Sequence, residues 1–226
     1  MVLPLGDDDS QVHITPIVTV GLIVINVIVF LYQLTQGNIE GFFQTWSVIP
    51  VEYSRGTDLA PTHPGPFWVT TLTSMFMHGG WMHLLGNMLF LWIFGDNVEQ
   101  AMGSLRFLVF YLICGVAATL AHILTGPGSQ IPSLGASGAI SGVLGAYIAL
   151  FPKQRVRVLM VRVVTEMPAV AVIGLWIVLQ FINGIGAMAQ TEETGGVAYA
   201  AHVGGFIAGI ALVWIFRKRQ MHQARA

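Results

Sequence analysis

Long apolar runs dominate the chain, broken by short polar or glycine- and proline-containing stretches. Six of them reach helix length: Thr15–Leu34, Trp81–Val98, Leu105–Leu124, Ser133–Phe151, Pro168–Met188 and Val197–Phe216. A helix needs about 20 mostly apolar residues to cross the hydrocarbon of a bilayer. The pattern therefore predicts an all-α membrane protein built as a six-transmembrane helical bundle. It divides the chain into a short N-terminal tail (1–14), a membrane domain (15–216) and a C-terminal tail (217–226). The stretch Phe67–Met77 is also apolar, but Gly79-Gly80 interrupts it, so it is expected to be interfacial, with the second span starting after the glycines. Pro61, Pro64 and Pro66 argue against a regular helix just before it. The chain shows no internal repeat, low-complexity tract or second soluble domain.

Charge then orients the spans. With six spans, Arg106, the segment Lys153, Arg155, Arg157, Arg162, and the tail Arg217, Lys218, Arg219, Arg225 share one face; that is nine of the ten Lys+Arg residues, with only Arg55 opposite. Short loops rich in Lys and Arg stay cytoplasmic, so both termini are expected inside. The segments Gln36–Pro66, Thr125–Gln130 and Gln190–Gly196 are then outside. The first of these, at roughly 30 residues, is long for a structureless connection and hints at function. The first fourteen residues are acidic and lack the basic start of a signal peptide, so the first apolar segment is expected to be retained as a span.

Composition agrees with a membrane class. The chain of 226 residues is 54% hydrophobic and 9% charged, with mean hydropathy +0.71. Soluble domains carry about 25% charged residues, so a soluble surface is excluded. A net charge of −1 gives no footing for nucleic-acid binding. The single cysteine, Cys114, sits in an apolar run and reads as core.

Polar groups inside spans are expensive and default to functional candidates. His83 and Asn87 lie on the second span, Ser137 on the fourth and His202 on the sixth, each about 5–10 Å below the outer helix end by the 1.5 Å rise per residue. His83 and Asn87 are four apart and share a helix face. Ser137 is flanked by Gly135, Gly138, Gly142 and Gly145; His202 is followed by Gly205 and Gly209. Such small-xxx-small pairs let helix backbones approach closely in lipid, and a serine and histidine on two apposed glycine faces can form an activated nucleophile. Each residue alone also has a bland reading. A serine in a membrane helix often bonds its own backbone, a single histidine packs at helix contacts, and His83 with Asn87 can simply hold helices together. On the residues alone, a catalytic site and a packing cluster both remain open.

Three motifs narrow the choice. Gly135-Ala136-Ser137-Gly138 resembles the GxSG motif of rhomboid proteases. Ala201-His202-x-x-Gly205, continued by Gly209, is similar to their AHxxG motif. His78-x4-His83-x3-Asn87 is similar to their HxxxxHxxxN segment, and Glu99 and Gly103 match the inner end of the same helix. The resemblance covers the chain except its tails and implies a rhomboid-like intramembrane serine endopeptidase. It implies Ser137 as nucleophile, His202 as general base, and His83 and Asn87 as oxyanion donors with the Ser137 N–H. His78, Gly135, Gly138, Gly205 and Gly209 fall in supporting positions. It further implies no cofactor and no metal, single-span or other transmembrane proteins as substrates within the lipid bilayer, and a multi-pass location in a cell membrane, expected to be a prokaryotic plasma membrane. Two departures stand out. Ser141 replaces the tyrosine that many members carry four residues after the nucleophile, so the resemblance names nothing that orients His202. The first outer loop offers Trp68-Val69 where many members have a Trp-Arg pair.

Two other functions compete. A metal or haem site would draw on His78, His83, His122 and His202, but zinc takes three or four ligands in close array. If His78 and His83 were on one helix, five residues would set them about 140° apart. The other is a transporter or a non-catalytic rhomboid-like protein that binds membrane clients; the acidic residues lie mostly at the termini or in loops, so no intramembrane ion relay is visible, and the intact Ser137 and His202 weigh against a non-catalytic relative.

Overall fold

The computed structural model describes residues 2–8, 12–188 and 199–218. Six long helices carry the fold: α1 (Ile17–Gln33), α5 (Trp81–Met102), α6 (Ser104–Thr125), α7 (Ser137–Leu150), α8 (Ala169–Met188) and α9 (Tyr199–Phe216). Between α1 and α5 the chain forms α2 (Ile39–Trp46), α3 (Pro50–Arg55), the four-residue α4 (Thr70–Thr73) and short 3-10 turns on either side of it. The stretch expected to be interfacial is thus a series of short turns, and the outer loop has helices before its prolines.

α7 is central. Every residue from Gly138 to Tyr147 is buried, as expected for a helix enclosed by others on all sides. It packs on α5, α6, α8 and α9. Leu91, Phe94 and Val98 of α5, Phe107, Phe110 and Tyr111 of α6, and Val143, Leu144 and Tyr147 of α7 are fully buried among them. Large apolar side chains also point outward: Met82, Leu105, Leu124 and Ile215 are all more than two thirds exposed. An outer surface of this kind fits hydrocarbon better than water. By length and composition α6 and α9 can cross a bilayer, with mean hydropathy 2.2 and 1.8; α1, α7 and the described apolar part of α8 are shorter.

Two local devices shape the end of the bundle where α5 meets α6. α5 and α6 are joined through Gly103 alone, at φ +84°, a left-handed conformation open to glycine at no steric cost. Four residues earlier on α5, the buried Glu99 carboxylate accepts from Val18 N (3.1 Å), Thr19 N (2.8 Å), Thr19 Oγ1 (2.8 Å) and Ser104 Oγ (2.6 Å). It caps the first turn of α1, where orphan N–H groups and the helix dipole favour negative charge.

The fold departs from the all-α expectation in one respect. A three-stranded antiparallel sheet, order β1-β2-β3, joins the N-terminal segment to the connection between α7 and α8. Its strands are β1 (Val2–Asp7), β2 (Arg155–Met160) and β3 (Val163–Pro168). The expected N-terminal tail is therefore partly a strand, and the expected basic loop is a hairpin. The physical reason lies in the alternation Arg155-Val156-Arg157-Val158, whose valines are fully buried while the arginines face out. This is the period-2 pattern of a half-buried strand; its charge had suggested a loop. Asp7 ties the sheet to the helices, its Oδ2 accepting from Tyr147 Oη (2.5 Å) and Asn97 Nδ2 (3.0 Å).

Candidate active site

The expected fourth span begins late. The apolar run predicts a helix over Ser133–Phe151, but the helix starts at Ser137. The preceding residues are extended: Ser133 and Val48 form a two-way backbone bridge (Ser133 N to Val48 O 2.7 Å, Val48 N to Ser133 O 3.2 Å), and Gly135 N donates to Ser74 O at 2.8 Å. Gly135 has φ +127°, and a Cβ there would meet the His83 ring at 2.7 Å. Glycine is therefore required twice over, by backbone conformation and by space. Ser137 thus occupies the first residue of its helix, where N–H groups have no intrahelical acceptor.

His202 Nε2 lies 2.8 Å from Ser137 Oγ. The structure brings the two together across a seam of glycines. A Cβ on Gly205 would run into the Gly138 carbonyl oxygen, one on Gly209 into that of Gly142, and one on Gly145 into that of Phe206. α7 and α9 can lie this close only because these positions lack side chains. Ser137 is partly exposed and His202 is buried.

A cavity of about 350 Å³ opens onto this pair, and His83, Asn87, Phe90 and Leu134 are among its walls. Asn87 is buried, and its Nδ2 has no hydrogen-bond partner among the described residues. A buried amide N–H left unpaired is costly, and Asn87 shares the wall of this cavity with Ser137. His83 Nδ1 accepts a long hydrogen bond from Gly79 N at 3.4 Å, and its ring lies against Gly135. His78 is fully buried, its ring edge-on to His83 with centroids 5.1 Å apart. Gln33 at the end of α1 holds the His78 peptide, donating from Nε2 to its carbonyl and accepting from its N–H at 3.2 Å.

His78 precedes α5, which starts at Trp81. The 140° separation expected of two positions on one helix does not apply, and the two rings are neighbours. No group of three or more metal-ligating side chains assembles among the described residues.

Two residues at the site went unnoticed in the sequence. Gln180 Oε1 lies 2.7 Å from His202 Nδ1, and the Trp176 ring lies 5.7 Å from the His202 ring, tilted by 42°. Both are on α8, four residues apart. A glutamine within an apolar span satisfies the rule that picked out Asn87, so the signal was present. Ser141 does not approach the ring in the described contacts; its Oγ donates to the Ser137 carbonyl at 2.6 Å. The bland reading of a back-bonded membrane serine thus holds for Ser141. The segment Gln190–Gly196, expected to face outside, is not among the described residues.

The class so defined is a helical membrane protein with a serine–histidine pair set between apposed glycine-lined helices. Comparison with known proteins agrees. A family model described as Rhomboid domain matches residues 66–219, more than half of the chain. The chain is 31% identical over 163 residues to the Rhomboid-like protein 11, chloroplastic, of Arabidopsis thaliana, covering 69% of this chain and 55% of the relative. It is 30% identical over 154 residues to the Rhomboid protein 1, mitochondrial, of Saccharomyces cerevisiae, covering 66% and 42%. Over 145 residues it is 35% identical to the Rhomboid protease GluP of Bacillus subtilis, covering 63% and 25%. The chain belongs to the rhomboid family of membrane-embedded proteins. In each alignment it spans less than two thirds of the relative's own length.

Proposed function

We propose that this chain is an intramembrane serine endopeptidase that hydrolyses peptide bonds in or near transmembrane segments of other membrane proteins. The observation that carries the reading is the 2.8 Å contact between His202 Nε2 and Ser137 Oγ at a cavity that Asn87 and His83 also line. In this mechanism His202 takes the hydroxyl proton as Ser137 Oγ attacks the scissile carbonyl carbon. The oxyanion of the tetrahedral intermediate accepts from the Ser137 N–H, Asn87 Nδ2 and the His83 ring, which supply preorganised donors in a partly dry site. Collapse breaks the C–N bond, and His202 returns the proton to the leaving amine. Water then hydrolyses the acyl-enzyme by the same steps.

Six spans, with α7 extended by its non-helical lead, and both termini cytoplasmic follow from the apolar runs and the distribution of basic residues. The proposed location is a cell membrane of prokaryotic plasma-membrane type, and the substrates are single-span or other transmembrane proteins. A helical substrate hides its own peptide bonds, so the scissile segment must unwind to reach Ser137. The chemistry needs no metal or cofactor, and chelators are expected to leave activity intact.

The test is cleavage of a single-span substrate in liposomes. Ser137→Ala and His202→Ala are each expected to drop to background while remaining folded and inserted, and a fluorophosphonate is expected to label Ser137. Wild-type cleavage by either variant would remove the dyad. A chain that binds such substrates without cleaving them would instead be a non-catalytic client-binding relative.

A further inference from the structure

We propose that Gln180 is a positioning residue that selects the tautomer and ring orientation of His202, extending the pair to a hydrogen-bonded Ser137–His202–Gln180 array. The proposal rests on the reading of Ser137 and His202 as nucleophile and base. It answers what orients the histidine where Ser141 replaces a tyrosine.

The argument is one of donors and acceptors. An amide oxygen only accepts hydrogen bonds. Gln180 Oε1 lies 2.7 Å from His202 Nδ1, and in the proposed arrangement that nitrogen carries the hydrogen. A neutral imidazole has one N–H; with it on Nδ1, Nε2 presents a lone pair. That lone pair faces Ser137 Oγ at 2.8 Å, and the hydroxyl must donate. This is the arrangement a general base needs before proton transfer. The opposite tautomer would set a lone pair on Nδ1 against the lone pairs of Oε1 and would point Nε2–H at the serine, which abolishes its basicity toward that hydroxyl. Trp176, one helical turn before Gln180 on the same face of α8, lies against the imidazole with centroids 5.7 Å apart and limits ring tilt. Ser141 is committed to the Ser137 carbonyl.

A glutamine here differs from an aspartate in a triad. It fixes the tautomer without adding a charge to an apolar helix contact, but it neutralises little of the imidazolium that forms. Its loss is therefore expected to matter less than the roughly 10⁴-fold effect of replacing an orienting aspartate by asparagine in a serine-protease triad.

The experiment combines kinetics with ¹⁵N NMR of histidine-labelled full-length protein, the His202 signals being assigned by their loss in His202→Ala. Wild-type His202 is expected to show a protonated Nδ1 and an unprotonated Nε2. A protonated Nε2 in the wild type would overturn the proposal whether or not any Gln180 variant folds. Gln180→Leu is expected to lower kcat by about 10–1000-fold, below that triad bound, with KM within about twofold, and to lose the Nδ1–H signature. In a His202→Ala background Gln180→Leu should cause no further loss of fluorophosphonate labelling, because Gln180 acts only through the ring. Wild-type kcat with an unchanged tautomer in Gln180→Leu, while His202→Ala is inactive, would sink the role of Gln180 and leave the dyad standing. Wild-type labelling in His202→Ala would instead remove the dyad itself.

Discussion

At Asn87, which lines the same cavity as Ser137, a side-chain amide is buried with no partner for Nδ2 among the described residues. That geometry separates two roles the residue could have. A residue that glues helices together would spend its donor on a neighbouring helix, and its loss would destabilise the fold. A donor reserved for charge that appears only in the transition state stays unpaired in the ground state. Asn87→Ala is therefore expected to lower kcat and kcat/KM by similar factors, about 10–1000-fold, since the Ser137 N–H remains. Its unfolding temperature should be unchanged or slightly higher, because no hydrogen bond from Nδ2 is lost and a buried unpaired donor costs about 1–3 kcal/mol. Unfolding temperature and kcat measured on one preparation decide the matter. Lower stability with unchanged kcat would return Asn87 to packing.

Among the elements, the pairing of α7 with α9 controls the site. Gly205 follows His202 by three residues, and Gly138 directly follows Ser137, so the contact that sets helix spacing adjoins the one that sets the chemistry. Gly205→Val would press a branched side chain onto the Gly138 carbonyl. Overpacking of this kind costs about 1–3 kcal/mol, and the helices must part to relieve it. We expect a lower unfolding temperature and at least a tenfold loss of Ser137 labelling rate per folded molecule. Gly174→Ala on α8, where an added Cβ meets nothing within 4 Å, should change neither. The Glu99 cap is a contrasting case. Glu99→Ala leaves four donors of α1 and Ser104 without their acceptor, each buried loss costing about 1–3 kcal/mol. The expected result is a clear drop in unfolding temperature with the labelling rate of the folded fraction retained. A loss of labelling out of proportion to unfolding would mean that the first turn of α1 communicates with the site.

For the molecule as a whole, the arrangement of charge predicts its orientation. Nine of the ten basic residues fall in the segments that the proposed six spans would put on one face, and the β2–β3 hairpin carries three of them, Arg155, Arg157 and Arg162. The native Cys114 is fully buried, so single cysteines can be read against a quiet background. A cysteine at Gln36 should react with a membrane-impermeant maleimide on intact cells. One at Val161, at the exposed hairpin turn, should react only after permeabilisation. The reverse pattern would invert the topology and place Ser137 near the opposite face of the membrane.

Much of this protein was legible because its signals are local. Apolar runs mark the long helices, glycines at three- and four-residue spacing mark the faces that touch, and Ser137, His202, His83 and Asn87 stand out because a polar group in an apolar span is costly. Other features depended on partners far away in the chain. Val156 and Val158 alternate as a strand should, but their burial depends on pairing with the N-terminal segment, some 150 residues earlier. The late start of α7 depends on backbone bonds to Val48 and Ser74; no propensity of residues 133–136 specifies it. Gln180 was visible as a polar residue in a span, yet its meaning arises only where α8 brings Oε1 to 2.7 Å from His202 Nδ1. The sequence by itself determined the membrane class, the long helices and the candidate residues for the proposed chemistry, since each follows from hydrophobicity and spacing within one segment. The tertiary structure alone decided which nitrogen of His202 faces the serine and what holds it there, because hydrogen-bond direction is set by the partner across the helix interface.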